Sequence, residues 1–402
     1  MITPIKTLLF IGAGVYQTKG ILKAKELGYR VVAVDEDTNA EGFEHVDNFL
    51  NINIFEHVKI IEFAKNENVY AVLSISSDIC LETVAVVNEA LGFPSMTLDQ
   101  IRLISNKGLM RKKLYKFDIK DINFFILKEI SEISEALEVI NFPLVVKPVD
   151  SSGSRGVSYV KNEQELISKC KLAFDFSRTN EILLEEYMDG KEVAVDGFVI
   201  DGKLVVLSIS DKIRTPPPYL LDTEVIFPSL EPNNIKQEIG GILTKVIKIL
   251  EINNCPIHIE MMITKEGVKI VEIAVRGAGF KVYTDIVPYI SGVDTLLVQI
   301  KLLLGEDVVI NKSIANKAVC LKFLNGEAGI LKDVYGVEEA KKIKGVQEIK
   351  IYPKIGDKVK KLTCGSDRLG HIVTYGETHH KVREKAKKAE NCIGFKIIKD
   401  GS

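Results

Sequence analysis

The chain has 402 residues, which at the usual domain size of roughly 100 to 200 residues implies two or three domains, and three are expected. Hydrophobic residues at 46% and charged residues at 27% give the balance of a folded globular protein, and a formal net charge of -2 supplies no global field for nucleic acid or an anionic membrane. The six cysteines are scattered without a CxxC pair, which argues against zinc or disulfide frameworks and fits a reducing cytoplasm, and the apolar run after Met1 is too short for a membrane span or anchor.

The run Thr7 to Ile11 reads as a short buried strand, followed by a glycine turn, a helix to Leu27 and a second strand from Arg30 to Val34. Alternation continues through a helix at His57 to Asn66, a strand at Tyr70 to Ser76 and a helix at Cys80 to Leu91. Residues 1–105 are therefore expected to form an α/β domain with a parallel sheet. The turn GAGVYQTKG resembles a dinucleotide fingerprint, but Gln17 stands where the third glycine belongs, which counts against a nicotinamide site. Tyr16 and Gln17 lie at the carboxyl end of the first strand, where open parallel sheets hold ligands, and are candidate substrate contacts.

A second, α+β region is expected over residues 106–309. It opens with a polar-started helix in SNKGLMRKKLYKF, continues through strands at Phe124 to Leu127 and Pro143 to Lys147, and includes a hairpin at Asp201 and Gly202. In FPLVVKPVDSSGSRGV a strand delivers Lys147 into a loop whose small residues, Ser151, Ser152, Gly153, Ser154 and Gly156, let backbone amides turn toward phosphate oxygens. The lysine precedes the glycines, so this is not a Walker loop. Downstream, EEYMDGKE carries Glu185, Glu186, Tyr187, Met188 and Glu192 on consecutive strands.

Two strands flanking a turn at Lys265 to Gly267 present Glu260 and Glu272, with Arg276 following. Carboxylates on neighbouring strands suit a magnesium ion bridged to triphosphate, because hard cations prefer oxygen ligands. The segment DKIRTPPPYLLD, with its three prolines, is expected to be an extended loop in which Lys212 or Arg214 meets a substrate carboxylate. From about residue 310 to 402, lysine-rich helices and short strands point to a small α+β C-terminal domain.

Taken in order, Lys107, Lys147 with its loop, the EEYMDGKE strand, Glu260, and Glu272 to Arg276 resemble the ATP-grasp superfamily, and DSSGSRGV and VEIAVRGAG are similar to its carboxylate-amine ligases, including L-amino-acid ligases. The likeness spans essentially the whole chain. It implies a pre-ATP-grasp domain, an ATP-grasp domain with a mobile lid at about 121–188, and a C-terminal domain like that of L-amino-acid ligases. It further implies that Lys107, Lys147 and the loop hold ATP phosphates, that Glu185 to Met188 line adenine and that Glu192 takes the ribose. Glu260 and Glu272 would bind one or two magnesium ions, manganese being an admissible substitute, and Arg276 would steady the acyl phosphate. Many relatives carry an asparagine where this chain has Ala274.

The expected reaction joins a small carboxylate to a small amine through an acyl phosphate, releasing ADP and phosphate, with a homodimer admitted by the resemblance. Phosphoribosylglycinamide synthetase or another purine-pathway ligase is the alternative within the superfamily, with biotin carboxylase and carbamoyl-phosphate synthase more distant. A non-catalytic ATP-binding regulator is the alternative outside it.

Overall fold

Strand alternation in the first region sorts its apolar residues onto two faces. The computed structural model describes residues 5–119, 122–313 and 316–399. In it, β1 (Thr7–Ile11), β2 (Arg30–Asp35), β3 (Asn48–Asn51) and β4 (Val69–Leu73) form a parallel sheet in the order β3-β2-β1-β4. Leu9, Ile11, Val32 and Val34 pack with Ile60 and Val87 of the helices His57–Asn66 and Asp78–Leu91. Their neighbours Leu8, Phe10, Val31 and Ala33 face the other way, into a core shared with Phe198, Phe227 and Phe323. Two buried faces are what a parallel sheet requires. The second face binds this region to the rest of the molecule.

A second sheet is antiparallel and carries its own core. It comprises β5 (Phe124–Leu127), β6 (Leu144–Pro148), β7 (Ser158–Val160) and β8 (Ile182–Glu186), in the order β5-β8-β6-β7. Leu144, Val146, Leu184, Leu166 and Cys170 pack together behind it. The segment at about 121–188 expected as a lid spans this sheet, and residue 121 lies outside the described residues.

The remaining strands are β9 (Gly190–Ile200), β10 (Lys203–Arg214), β11 (Asp222–Phe227), β12 (Cys255–Thr264), β13 (Gly267–Ala274), β14 (Ala318–Leu324), β15 (Gly329–Tyr335), β16 (Val346–Ile351), β17 (Lys358–Val359), β18 (Gly370–Gly376) and β19 (Gly394–Ile398). Eight of them form one sheet, β13-β12-β9-β10-β11-β14-β18-β16, while β17-β15-β19 forms a small one. The strands β14, β16 and β18, read from sequence as part of a separate region beginning near 310, thus extend the central sheet. The join is at β11 and β14, where Lys322 Nζ meets Glu224 Oε1 at 3.0 Å.

A second difference concerns the proline-rich segment. Lys212 and Arg214 are strand residues of β10, in register with Val225 and Asp222 of β11, and only residues 215–221 form the connection. The polar run looked like a loop because the face it lies on is lined by charged partners instead of a hydrophobic core. Among the described residues no single helix is long and apolar enough to cross a membrane.

Candidate active site

Lys147 sits on β6, in register with Leu183 of β8 and one residue past the last pair that β6 makes with β7. Its ammonium meets Glu185 Oε2 at 2.5 Å, and Arg111 Nε reaches Glu185 Oε1 at 2.6 Å. Arg111 comes from the helix Lys107–Lys116 and also donates from Nη2 to the Ile270 carbonyl at 2.6 Å. All three side chains are buried. Burial pushes the Glu185 carboxyl upward, but Arg111 and then Lys147 outweigh it and hold the group at about 2.

Of the residues expected around adenine, Glu185 turns its side chain into this triad, leaving only its backbone for a base. Glu186 is engaged on another side, accepting from Asn141 N at 3.0 Å and Asn141 Nδ2 at 3.1 Å. Tyr187 donates its backbone N–H to Pro143 O at 2.8 Å and packs edge-on against Tyr159, and Met188 beside it is half-buried.

Lys107 opens its helix directly after the Asn106 cap, which accepts from Leu109 N at 3.0 Å. From there its ammonium donates to Ser151 O at 2.7 Å and lies 3.2 Å from Glu272 Oε1. The loop above it uses left-handed backbone at Gly153 (φ +66°), Ser154 (φ +57°) and Gly156 (φ +74°). A Cβ on Gly156 would stand 2.9 Å from Pro148 Cγ, so this position needs glycine for space as well as for φ. At the loop tip Gly153 O accepts from Gly365 N at 3.0 Å, tying the lid to the C-terminal segment. Beneath the loop is a cleft lined by Asp78, Lys107, Ser151, Ser152, Arg155 and Glu272.

The central sheet supplies the charged floor. Antiparallel register sets Glu260 of β12 opposite Glu272 of β13, and Lys212 of β10 opposite Glu192 of β9. Lys212 Nζ lies 2.5 Å from Glu192 Oε1, 2.5 Å from Glu260 Oε1 and 3.2 Å from Asp222 Oδ2, and Arg214 Nη1 lies 2.7 Å from Glu192 Oε2. The expectation that Lys212 or Arg214 waits in a loop for a substrate carboxylate is therefore corrected: both are strand residues engaged by the protein's own carboxylates. Burial lowers the Lys212 pKa, but Asp222, Glu192 and Glu260 together raise it well above the ordinary value. His258 Nδ1 is 2.9 Å from Asp196 Oδ1; burial lowers the imidazole pKa, but Asp196 and then Glu260 outweigh it and push the group up to about 9.

Among the described residues no three His, Cys, Asp or Glu side chains are grouped to hold a metal ion unaided. Glu260 and Glu272 still fit magnesium, whose remaining ligands would be phosphate oxygens and water. Ala274 contributes no oxygen and lies opposite His258.

Arg276, just past β13, is gripped by Asp78 through Nε to Oδ1 at 2.8 Å and Nη2 to Oδ2 at 2.7 Å. Asp78 begins the helix after β4, at the carboxyl end of a parallel strand, which is the one sequence signal that could have identified it. Arg111, Asp196 and Asp222 carried no such signal. At the first glycine turn Gln17 is buried, its amide donating to Ser74 Oγ at 3.0 Å and Ile75 O at 2.6 Å while accepting from Ile75 N at 2.7 Å. Gln17 is therefore a strut and not a substrate contact, whereas Tyr16 is exposed with its ring centroid 6.2 Å from that of Phe280. Asp35, where a dinucleotide site would want a ribose acceptor, instead accepts from Ala13 N at 2.7 Å.

A family model described as ATP-grasp domain matches residues 140–284, and one described as L-amino acid ligase C-terminal domain 2 matches residues 322–397. The structure is similar to that of L-amino acid ligase from Bacillus licheniformis, with a TM-score of 0.86 and 20% identity across 98% of this chain and 100% of that one. Among curated proteins, a formate-dependent phosphoribosylglycinamide formyltransferase from Sulfurisphaera tokodaii is 24% identical over 96% of each chain. An alanine–anticapsin ligase from Bacillus subtilis is 23% identical over 66% of this chain and 61% of that one. Two other relatives are also spanned only in part: 66% of an uncharacterized protein from Sinorhizobium fredii and 48% of a formyltransferase from Prochlorococcus marinus.

Proposed function

We propose that this chain, which carries an ATP-grasp domain and an L-amino acid ligase C-terminal domain, is an ATP-dependent carboxylate-amine ligase that joins amino acids or similarly small acids and amines. The observation that carries this reading is that Lys107, Glu272 and Asp78 line one cleft beneath the serine-glycine loop, with Asp78 gripping Arg276 at its edge. A carboxylate is a poor electrophile and needs activation. One of its oxygens would attack the γ-phosphorus of ATP, breaking the bond to the β-phosphate bridging oxygen and releasing ADP. The amine nitrogen would then attack the acyl carbon, expel phosphate and give up a proton.

Lys107 and Lys147 supply positive charge for the phosphates, and the loop's left-handed residues turn backbone amides toward them. Glu260 and Glu272 would hold magnesium, which when bound neutralises charge on the transferred phosphoryl group. Arg276 meets developing charge on the acyl phosphate, and Asp78 positions it for this. The lid, tied down at Gly153 and Gly365, excludes water from an intermediate that water would hydrolyse. Hydroxylamine trapping tests the reading: a carboxylate-dependent hydroxamate formed with ATP supports it, and ADP release without hydroxamate contradicts it.

The alignment along 96% of a formate-dependent phosphoribosylglycinamide formyltransferase favours a second reading in which the amine is phosphorylated. Formate-dependent ADP release with phosphoribosylglycinamide, and none with amino acids, would select it.

A further inference from the structure

Arg368 lies in the loop between β17 and β18, and it is buried, with 7% of its surface exposed. Buried guanidinium groups are ordinarily paired with carboxylates, because an unpaired buried charge is costly. Among the described residues no carboxylate forms an ion pair with Arg368. Its Nη2 donates to the Asp222 backbone carbonyl at 2.9 Å, and its Nε has no hydrogen-bond partner.

The surroundings are aromatic. The guanidinium carbon stands 3.5 Å from the Phe323 ring centroid and 5.4 Å from that of Phe280. Phe280 in turn packs edge-on with Tyr16 at 6.2 Å and lies 6.3 Å from the His371 ring, centroid to centroid. His371 is buried, accepts or donates at Nδ1 with the Tyr352 hydroxyl at 2.7 Å, and has no hydrogen-bond partner at Nε2. Phe280 and Lys281 both adopt left-handed backbone, with φ of +51° and +60°, a conformation that non-glycine residues hold only where the surroundings demand it. Left-handed backbone, a guanidinium with no carboxylate ion pair among the described residues and a ring nitrogen that has no hydrogen bond, 3.9 Å from Glu348 Oε1, therefore occur together where the first region, the central sheet and its C-terminal extension meet.

Two contacts link this box to the charged floor and to the loop over the cleft. Asp222, whose carbonyl holds Arg368, extends its carboxylate to Lys212 on the charged floor. Gly365, three residues before Arg368, is the point at which the phosphate-covering loop touches down. Lys107 and Lys147 are assigned above to the nucleotide phosphates, Lys212, Arg214 and Arg276 are ion-paired with the protein's own carboxylates, and Arg368 forms no such pair among the described residues.

Resting on the ligase reading, we propose that Arg368 recognises an oxyanion carried by the amine substrate, so that the box formed with Phe280, Phe323, Tyr16 and Tyr352 selects the acceptor. Cation and aromatic faces together suit an amino acid with a free carboxylate, since guanidinium pairs bidentately with carboxylate and with phosphate alike.

The experiment compares wild-type and Arg368→Met protein with three acceptors: leucine, leucinamide and glucosamine 6-phosphate. Acceptor-dependent ADP release, KM for ATP and calorimetric binding of each acceptor are measured, with Arg368→Lys as a charge-conserving variant and nucleotide binding as the check on folding. The expected result is that wild type prefers leucine to leucinamide, and that Arg368→Met raises the leucine KM about tenfold or more while the leucinamide and ATP values stay put. A preference for glucosamine 6-phosphate that Arg368→Met removes also supports the assignment and makes the anion a phosphate. Equal use of leucine and leucinamide by wild type, or a rise confined to the KM for ATP, overturns it and leaves the ligase reading intact. Should no acceptor stimulate ADP release, the ligase reading fails, and calorimetry alone decides Arg368: anion binding lost in Arg368→Met upholds it, and binding unchanged overturns it.

Discussion

Asp78 and Arg276 are 198 positions apart in sequence and form a two-pronged ion pair, Nε to Oδ1 at 2.8 Å and Nη2 to Oδ2 at 2.7 Å. The pair joins the first region to the end of β13 and fixes the guanidinium proposed to face the acyl phosphate. Burial raises the Asp78 pKa, but Arg276 outweighs it and keeps the carboxyl below its usual value, so the pair is ionised at neutral pH.

Replacing Asp78 with Asn keeps a hydrogen-bond acceptor but removes the charge that orients Arg276. Steady-state ADP release should fall roughly ten- to a hundredfold in kcat with little change in the KM for ATP, by analogy with the loss of groups that orient metal ligands. Arg276→Met should cost more, on the order of a hundred- to a thousandfold, as when one donor to a developing oxyanion is lost. Equal effects of the two substitutions on the KM for ATP and none on kcat would contradict the assigned role.

Glu185 bridges Arg111 and Lys147 in a buried triad. Glu185→Gln removes the buried negative charge that Arg111 and Lys147 both face and should destabilise the protein by about 3 to 5 kcal/mol, measured by urea unfolding at pH 7. The sign with pH follows from its depressed folded value of about 2 against an ordinary 4.5: the stabilisation is present above about pH 4.5 and is lost as pH falls toward 2. Wild type and Glu185→Gln should thus converge in stability on acidification. A gap that stays constant from pH 7 to pH 3 would show that Glu185 does not titrate this way.

Gly156 combines φ +74° with a Cβ position 2.9 Å from Pro148 Cγ. Gly156→Ala must strain the loop that covers the cleft, by about 1 to 2 kcal/mol from the left-handed backbone alone. The KM for ATP should rise while Gly153→Ala, which meets nothing within 4 Å, has the smaller effect despite its own positive φ. Nucleotide titration of both variants checks the order, and the reverse order would refute the steric account.

The parts of the site legible in sequence are those set by local rules. Strand alternation and a short turn put Glu260 and Glu272 on neighbouring strands, and β12 and β13 do pair them in register. The strand that delivers Lys147 ended in small residues, and the left-handed loop follows. The illegible parts depend on partners far along the chain. Arg111 looked like one more cation on a lysine-rich helix, and its partners Glu185, 74 residues later, and the Ile270 carbonyl, 159 residues later, draw it inside. Lys212 and Arg214 read as loop residues because nothing nearby in sequence foretells that Glu192, Glu260 and Asp222 converge on them. Gln17 looked available to a ligand until Ser74 and Ile75 came to lie against it.

The most direct test of the central claim is ADP and phosphate release with magnesium and ATP across pairwise mixtures of amino acids and small amines, with Glu272→Gln as the control. The account predicts release that requires one specific acid-amine pair, yields their amide and falls to background in Glu272→Gln. Tight ATP binding with no turnover on any pair, or turnover that survives in Glu272→Gln, would contradict it.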